Sequence, residues 1–258
     1  MIVNSRQMQW VSMRTIIFDV GFDDLKAEQA VLHACDIINS GEKSYVVTPN
    51  PEIVWLARRN EELRTAINGA GLVLPDGIGI ILGARILGSP LRGGRVPGID
   101  FAAALFEKMA LLGGSIFLLG AKPGIAEAAG RNLESTYPGL VIAGAADGYF
   151  SDDDMVIAKI NSAQPDVLLV CLGSPKQEVW MAENLERLNV KLCAGLGGSL
   201  DVFSGRVKRA PVFFRKLGLE WLYRLFREPR RIGRMAKLPL FVLVLMCRRL
   251  SGTARKKV

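Results

Sequence analysis

The sequence contains a single histidine, His33, and it lies inside a helical stretch, so histidine-based catalysis has no candidate and His33 is given no role. The four cysteines, Cys35, Cys171, Cys193 and Cys247, are widely spaced and form no CxxC pair. Three of them sit in apolar runs, which argues for a reduced, cytosolic chain with buried thiols over a disulfide or zinc framework. There is no run of about 18 uncharged apolar residues, and hence no expected transmembrane helix. The opening "MIVNSRQMQW" lacks the basic-then-apolar pattern of a secretory signal. Neither GxGxxG nor GxxxxGK[ST] occurs, so a dinucleotide fingerprint and a P-loop are both poorly supported.

What is present is apolar residues, at 50% of the chain with a mean hydropathy of +0.24. Across 258 residues this allows one large α/β domain or two small ones. The net charge of +8 is unevenly spread. Residues 1–204 carry 17 Lys+Arg against 23 Asp+Glu, a net of −6, whereas residues 205–258 carry 16 against 2, a net of +14. An acidic body with a basic appendage that meets something anionic is therefore expected, divided at residue 204.

"RTIIFDV" reads as a first strand, followed by the helix "LKAEQAVLHACDIINSG" ending at Gly41. "SYVVTPN" reads as a strand, and Pro51 then fits the first position of one helix, "PEIVWLARRNEELRTAING". "AGLVLPDG" supplies a third strand before the helix "GIILGARIL", the loop "GSPLRGGRVPG" and the helix "IDFAAALFEKMALLGG". "SIFLLG", "LVIAGAADGYF", "DVLLVCLG" and "VKLCAGLGG" then alternate with helical stretches. This alternation predicts a Rossmann-like, mostly parallel sheet with helices on both faces. Ligands of such sheets bind beyond the carboxyl ends of the strands, where Thr48, Asn50, Asp76, Gly173 and Gly197 fall.

Each motif at those ends has two readings. Thr48, Asn50 and Asp76 can line a sugar pocket with Asp76 as general base, or can cap the helices that begin at Pro51 and near Gly77. Arg92 and Arg95 can bind a diphosphate, or can belong to a solvated basic loop. "LLGAKPG", "CLGSPKQE" and "GLGGSLD" are glycine turns into helices that suit phosphate, and Asp201 can accept from a nucleobase or ribose. "SDDDM" resembles a DxD metal motif, but directly before an amphipathic helix it reads as a cap.

In the tail, Arg224, Arg227, Arg231 and Arg234 would share one face of a continuous helix, which Pro229 interrupts or restarts. The ten-residue apolar run 238–247 is flanked by Lys237, Arg248 and Arg249. As a helix it reaches about 15 Å, half of a hydrocarbon core, so it suits lying in an anionic membrane interface. Packing of a solvated basic tail onto the domain is the alternative. The tail offers no aromatic stacking surface or known reading motif for nucleic acid, and its hydrophobic run fits lipid better, so no nucleic-acid partner is expected.

Taken in order, "TPNPEIVWLA", "LPDGIGI", "RVPGIDF", "FLLGAKPG", "DGYF", "PDVLLVCLGSPKQE" and "GLEWLYRLFREPRR" resemble the WecG/TagA/CpsF family of bacterial glycosyltransferases. The resemblance implies inverting sugar transfer from a UDP-sugar to a polyprenyl-diphosphate-linked saccharide at the inner face of the cell membrane. The donor would carry N-acetylmannosamine, its uronic acid or glucose, and the product would feed cell-surface polysaccharide. Asp76 matches the family's proposed base, Thr48 and Asn50 its sugar-pocket neighbours, and Arg95 an arginine facing the donor diphosphate. Gln177 and Asp201 match nucleotide-side positions. Gly77, Gly173 and Gly197 belong to the same turns, and Arg224, Arg231 and Arg234 match residues thought to close over the site at the membrane. With arginines abundant, no tightly bound metal or other cofactor is expected. A non-catalytic, membrane-recruited nucleotide-binding scaffold is the rival reading, and a homo-oligomer is compatible with either.

Overall fold

The computed structural model describes residues 14–227, 232–235 and 237–251. Strands β1 (Thr15–Ile17) and β2 (Val20–Phe22) form a separate antiparallel hairpin. The single first strand expected there is thus corrected: Phe18 and Asp19, at φ 49° and 64°, reverse the chain in a two-residue turn. Neither is the glycine or asparagine that usually announces such a turn. Helix α1 (Ala27–Ser40) follows and closes on a left-handed Gly41 as expected, and then comes β3 (Ser44–Val47). The one helix expected after Pro51 is two, α2 (Pro51–Ala57) and α3 (Glu61–Asn68), because Asn60 accepts the Leu63 N–H at 2.9 Å and restarts the helix.

The chain continues through β4 (Leu72–Val73), α4 (Ile78–Leu87), α5 (Gly98–Leu112), β5 (Ser115–Gly120) and α6 (Ile125–Thr136). Next come β6 (Val141–Ala146), α7 (Asp153–Ala163), β7 (Val167–Cys171), α8 (Lys176–Asn184), β8 (Leu192–Gly195) and the short α9 (Ser199–Phe203). Strands β3 to β8 form one sheet in the order β4-β3-β8-β7-β5-β6, with every pairing parallel. Side chains alternate between its two faces. Tyr45, Val47, Phe117, Leu119, Leu168, Val170 and Cys193 pack towards α2, α3, α4, α7 and α8. Val46, Ile116, Leu118, Leu169, Leu192 and Ala194 pack towards α1, α5, α6 and α9. At the β4 edge, Asp23 donates its N–H to the Val73 carbonyl (3.0 Å) and accepts the Val73 N–H on its carboxylate (2.8 Å), which covers the open strand.

Beyond residue 204 the described residues hold only helices: α10 (Val212–Lys216), α11 (Glu220–Arg227), α12 (Ile232–Met235) and α13 (Lys237–Leu250). Helix α13 divides the apolar run 238–247 between two surroundings. Phe241 and Leu245, one turn apart, are fully buried against α4, α2 and the hairpin, with the Phe18 ring edge-on to Phe241 at 5.3 Å. The approach to α4 depends on Gly83, where a Cβ would stand 2.7 Å from Leu245 Cδ1 and 3.4 Å from Phe241 Cε1. Leu240, Leu243 and Met246 face outward and are exposed.

The chain leaves β3 for the face carrying α2, and leaves β8 for the opposite face carrying α9. Departure of neighbouring parallel strands to opposite faces opens a crevice at their carboxyl ends.

Candidate functional site

Backbone hydrogen bonds assemble the crevice from the ends of β3, β4 and β8. The Leu74 N–H donates to the Val47 carbonyl (2.9 Å) and the Asp76 N–H to the Pro49 carbonyl (3.4 Å), so Asp76 runs beside the Thr48–Asn50 segment. The half-buried Thr48 donates its hydroxyl to the Gly195 carbonyl at the end of β8 (3.4 Å). Gly98, the first residue of α5, fits directly against it; a Cβ there would lie 2.8 Å from Thr48 Oγ1. Gly77 has φ +86°, a conformation that side chains resist, and this lets the chain turn from Asp76 into α4 while packing on Pro51. The structure thus brings Thr48, Asn50, Asp76 and Gly77 together with the end of β8.

Asn50 performs its capping role: its Oδ1 accepts the N–H groups of Glu52 (2.9 Å) and Ile53 (3.1 Å). The carboxamide NH₂ can still donate to a ligand, so the capping and pocket readings are compatible. Asp152 likewise caps α7, accepting the N–H groups of Asp154 and Met155. Its neighbours also have partners, Asp153 accepting from Trp180 Nε1 (3.1 Å) and Asp154 pairing with Arg187. Among the described residues, no three His, Cys, Asp or Glu side chains form a group that could hold a metal ion.

On the β7 side, Gly173 precedes α8, and the buried Gln177 reaches across to β8, its Oε1 accepting the Gly197 N–H at 2.9 Å. Gln177 Nε2 donates to the carboxylate of Glu178, also at 2.9 Å. Glu178 is almost fully buried, and burial pushes its carboxyl above the ordinary value. Asp201 lies in the first turn of α9, near the buried Cys171. Burial, with the Asp201 charge adding to it, pushes that thiol up to about 12, so it is inert as a nucleophile.

The loop 91–97 returns to the crevice, where the Val96 N–H donates to the Pro75 carbonyl at 2.9 Å, one residue from Asp76. Arg95 is held there by the C-terminal helices: its Nη2 donates to the Arg215 carbonyl (2.7 Å) and its Nη1 to Glu220 Oε2 (3.5 Å). The other Glu220 oxygen pairs with Arg209 Nε (3.3 Å), and the Arg209 fork grips Asp100 in the first turn of α5 at 2.6 and 2.8 Å. Burial opposes the Arg209 charge, but the Asp100 hydrogen bonds and the nearby carboxylates outweigh it and raise its pKa further. Arg92 is exposed. Arg224 lies in α11 and Arg234 in α12, whereas Arg231 and Pro229 lie outside the described residues.

Sequence reasoning gave no role to Asp100, Glu178, Arg209 or Glu220. For Glu220 a signal was there: it is one of only two acids in the basic tail, and a lone acid among cations is a pairing candidate.

A parallel sheet with its crevice at the β3/β8 seam defines a Rossmann-like α/β protein. Comparison with known proteins carries this further. The family model described as Glycosyl transferase WecG/TagA/CpsF family matches residues 15–255, and the chain belongs to that family of glycosyltransferases. It is 36% identical over 209 residues to an N-acetylglucosaminyldiphosphoundecaprenol N-acetyl-beta-D-mannosaminyltransferase of Bacillus spizizenii, covering 81% of each chain. It is 35% identical over 229 residues to a protein of the same name from Staphylococcus aureus, covering 88% of this chain and 89% of that one.

Proposed function

We propose that the protein transfers a hexose, N-acetylmannosamine in the first instance, from a UDP-sugar to a polyprenyl-diphosphate-linked N-acetylglucosamine, with inversion at the sugar. Its uronic acid and glucose are the other donor sugars to test. The observation that carries this reading is the pairing of Asp76 with the Thr48–Asn50 segment at the crevice, in a chain of this family. Asp76 takes the proton from the acceptor hydroxyl as that oxygen attacks the donor's anomeric carbon, and the bond from that carbon to the diphosphate breaks. Thr48 and Asn50 orient the sugar. Arg95 meets the charge that grows on departing UDP, so the transfer runs without a tightly bound metal. Gln177, Gly173, Gly197 and Asp201 form the nucleotide side.

Residues 1–204 act in this reading as the transferring core and residues 205–258 as a membrane-associating appendage, working at the inner face of the cell membrane. Support comes from the exposed Phe213, Leu217, Phe226, Ile232, Leu243 and Met246 and from the exposed Lys216 and Arg249 in the same helical stretches, apolar and basic side chains suited to an anionic bilayer. No helix among the described residues is long and apolar enough to cross a membrane. Arg224, Arg231 and Arg234 would close over the site on docking.

The test is transfer of label from a panel of UDP-sugars to a short-chain prenyl-diphosphate N-acetylglucosamine, with and without excess EDTA. Transfer from one donor, undiminished by EDTA, is expected. Loss in EDTA restored by manganese would overturn the metal-free step. UDP binding without transfer from any donor would favour the scaffold reading.

A further inference from the structure

We propose that Glu220 is a positioning residue that fixes the Arg95 guanidinium for the diphosphate. The inference rests on the reading of Arg95 as the diphosphate's partner. A closed chain of contacts starts and ends at the crevice. From Thr48 it passes to Gly98 at the start of α5, and within the same turn to Asp100. From Asp100 it passes through the two-pronged Arg209 pair to Glu220, from Glu220 to Arg95, and along the loop to the Val96–Pro75 hydrogen bond beside Asp76. The appendage thus holds both ends of the 95–100 segment at the crevice through one carboxylate.

The two arginines in that chain have different capacities. Arg209 spends both prongs on Asp100 and its Nε on Glu220, so its edges are taken and it serves as a brace. Arg95 uses two of its five N–H donors, one on the Arg215 carbonyl and one on Glu220, and keeps the rest for a ligand. A free arginine loses rotamer freedom when it is fixed on an anion. Here much of that loss has already been met within the protein. Side-chain exposures of 20% for Arg95 and 15% for Glu220 shield the pair from water and sharpen its direction. Glu220 never touches the reacting atoms; it acts through Arg95.

The measurement is UDP and uridine binding by calorimetry for wild type, Glu220→Gln, Arg95→Ala and the double variant. Expected for Glu220→Gln is about tenfold weaker UDP binding with uridine binding unchanged, and no further loss when it is added to Arg95→Ala. Parallel loss of UDP and uridine would reduce Glu220 to a structural role and overturn the proposal. So would unchanged UDP binding, or a loss that adds to that of Arg95→Ala. A wild type that binds UDP no better than uridine would overturn the diphosphate reading itself, and the inference with it. Arg209→Lys, which keeps the charge but lacks the fork, is the second probe should Glu220→Gln unfold early. It should give the same UDP-selective loss in smaller measure.

Discussion

The crevice at the strand ends and the C-terminal helices are held in different ways. Thr48, Asn50 and Asp76 sit where the main chain puts them: Asp76 through its own N–H on Pro49, Asn50 as the cap of α2, and Thr48 between Gly195 and Gly98. The C-terminal helices attach through side chains, by the Arg95–Glu220–Arg209–Asp100 group at one end and the Phe241 and Leu245 plug at the other. A site built by the backbone persists as long as the sheet does. One attached by side chains can be adjusted by a single residue, which suits the part proposed to meet a lipid surface.

That contrast is open to attack at its strongest attachment. Phe241→Ala removes a fully buried ring and should cost about 3–5 kcal/mol in urea unfolding, since α13 belongs to the core cluster. An unchanged unfolding midpoint would mean that α13 is loosely held. On the outward face of the same helix, Leu243→Asp with Met246→Asp should weaken partition onto anionic vesicles by on the order of tenfold or more. Transfer to a water-soluble acceptor should be retained; equal flotation of variant and wild type would separate this surface from the membrane. Within the crevice, Asn50→Ala should cost about 1 kcal/mol by loss of the α2 cap, whereas Asn50→Ser should recover most of that stability. Failure of serine to recover it would make capping the lesser part of what Asn50 does.

The smallest effect concerns Glu178. Its carboxyl is raised by burial above the ordinary 4.5, so the folded chain holds the proton more tightly than the unfolded chain. The resulting stability is complete below the ordinary value and is lost as pH rises through the folded one. Glu178→Gln should therefore match wild type near about pH 4 and gain on it towards about pH 8. Thermal unfolding across that range checks the sign, and parallel curves would contradict it.

The sheet was legible because its strands are short apolar runs between helices with strong boundaries, such as Gly41 and Pro51. The hairpin was not, because its turn puts Phe18 at positive φ and is held from outside, by packing of the Phe18 ring on Phe241 and Trp55 and by Asn68, which accepts the Gly21 N–H and donates to the Asp19 carbonyl. The break between α2 and α3 was carried by Asn60, a cap signal hidden in an otherwise helical run. At the site, single residues at strand ends could be named from order alone. The link from Asp100 to Glu220 spans more than a hundred positions and follows no periodicity. In the apolar run of the tail hydropathy does not distinguish a face turned to lipid from one turned to the core; Phe241 and Leu245 go inward, where Gly83 leaves room for them.

The central claim is that Asp76, fixed beside Thr48 and Asn50, removes the acceptor's proton. It is tested most directly by comparing wild type with Asp76→Asn for both kcat of sugar transfer and UDP binding. A fall in kcat of about a hundredfold or more with UDP binding unchanged is predicted. Equal rates, or a loss of transfer that merely follows a loss of UDP binding, would contradict it.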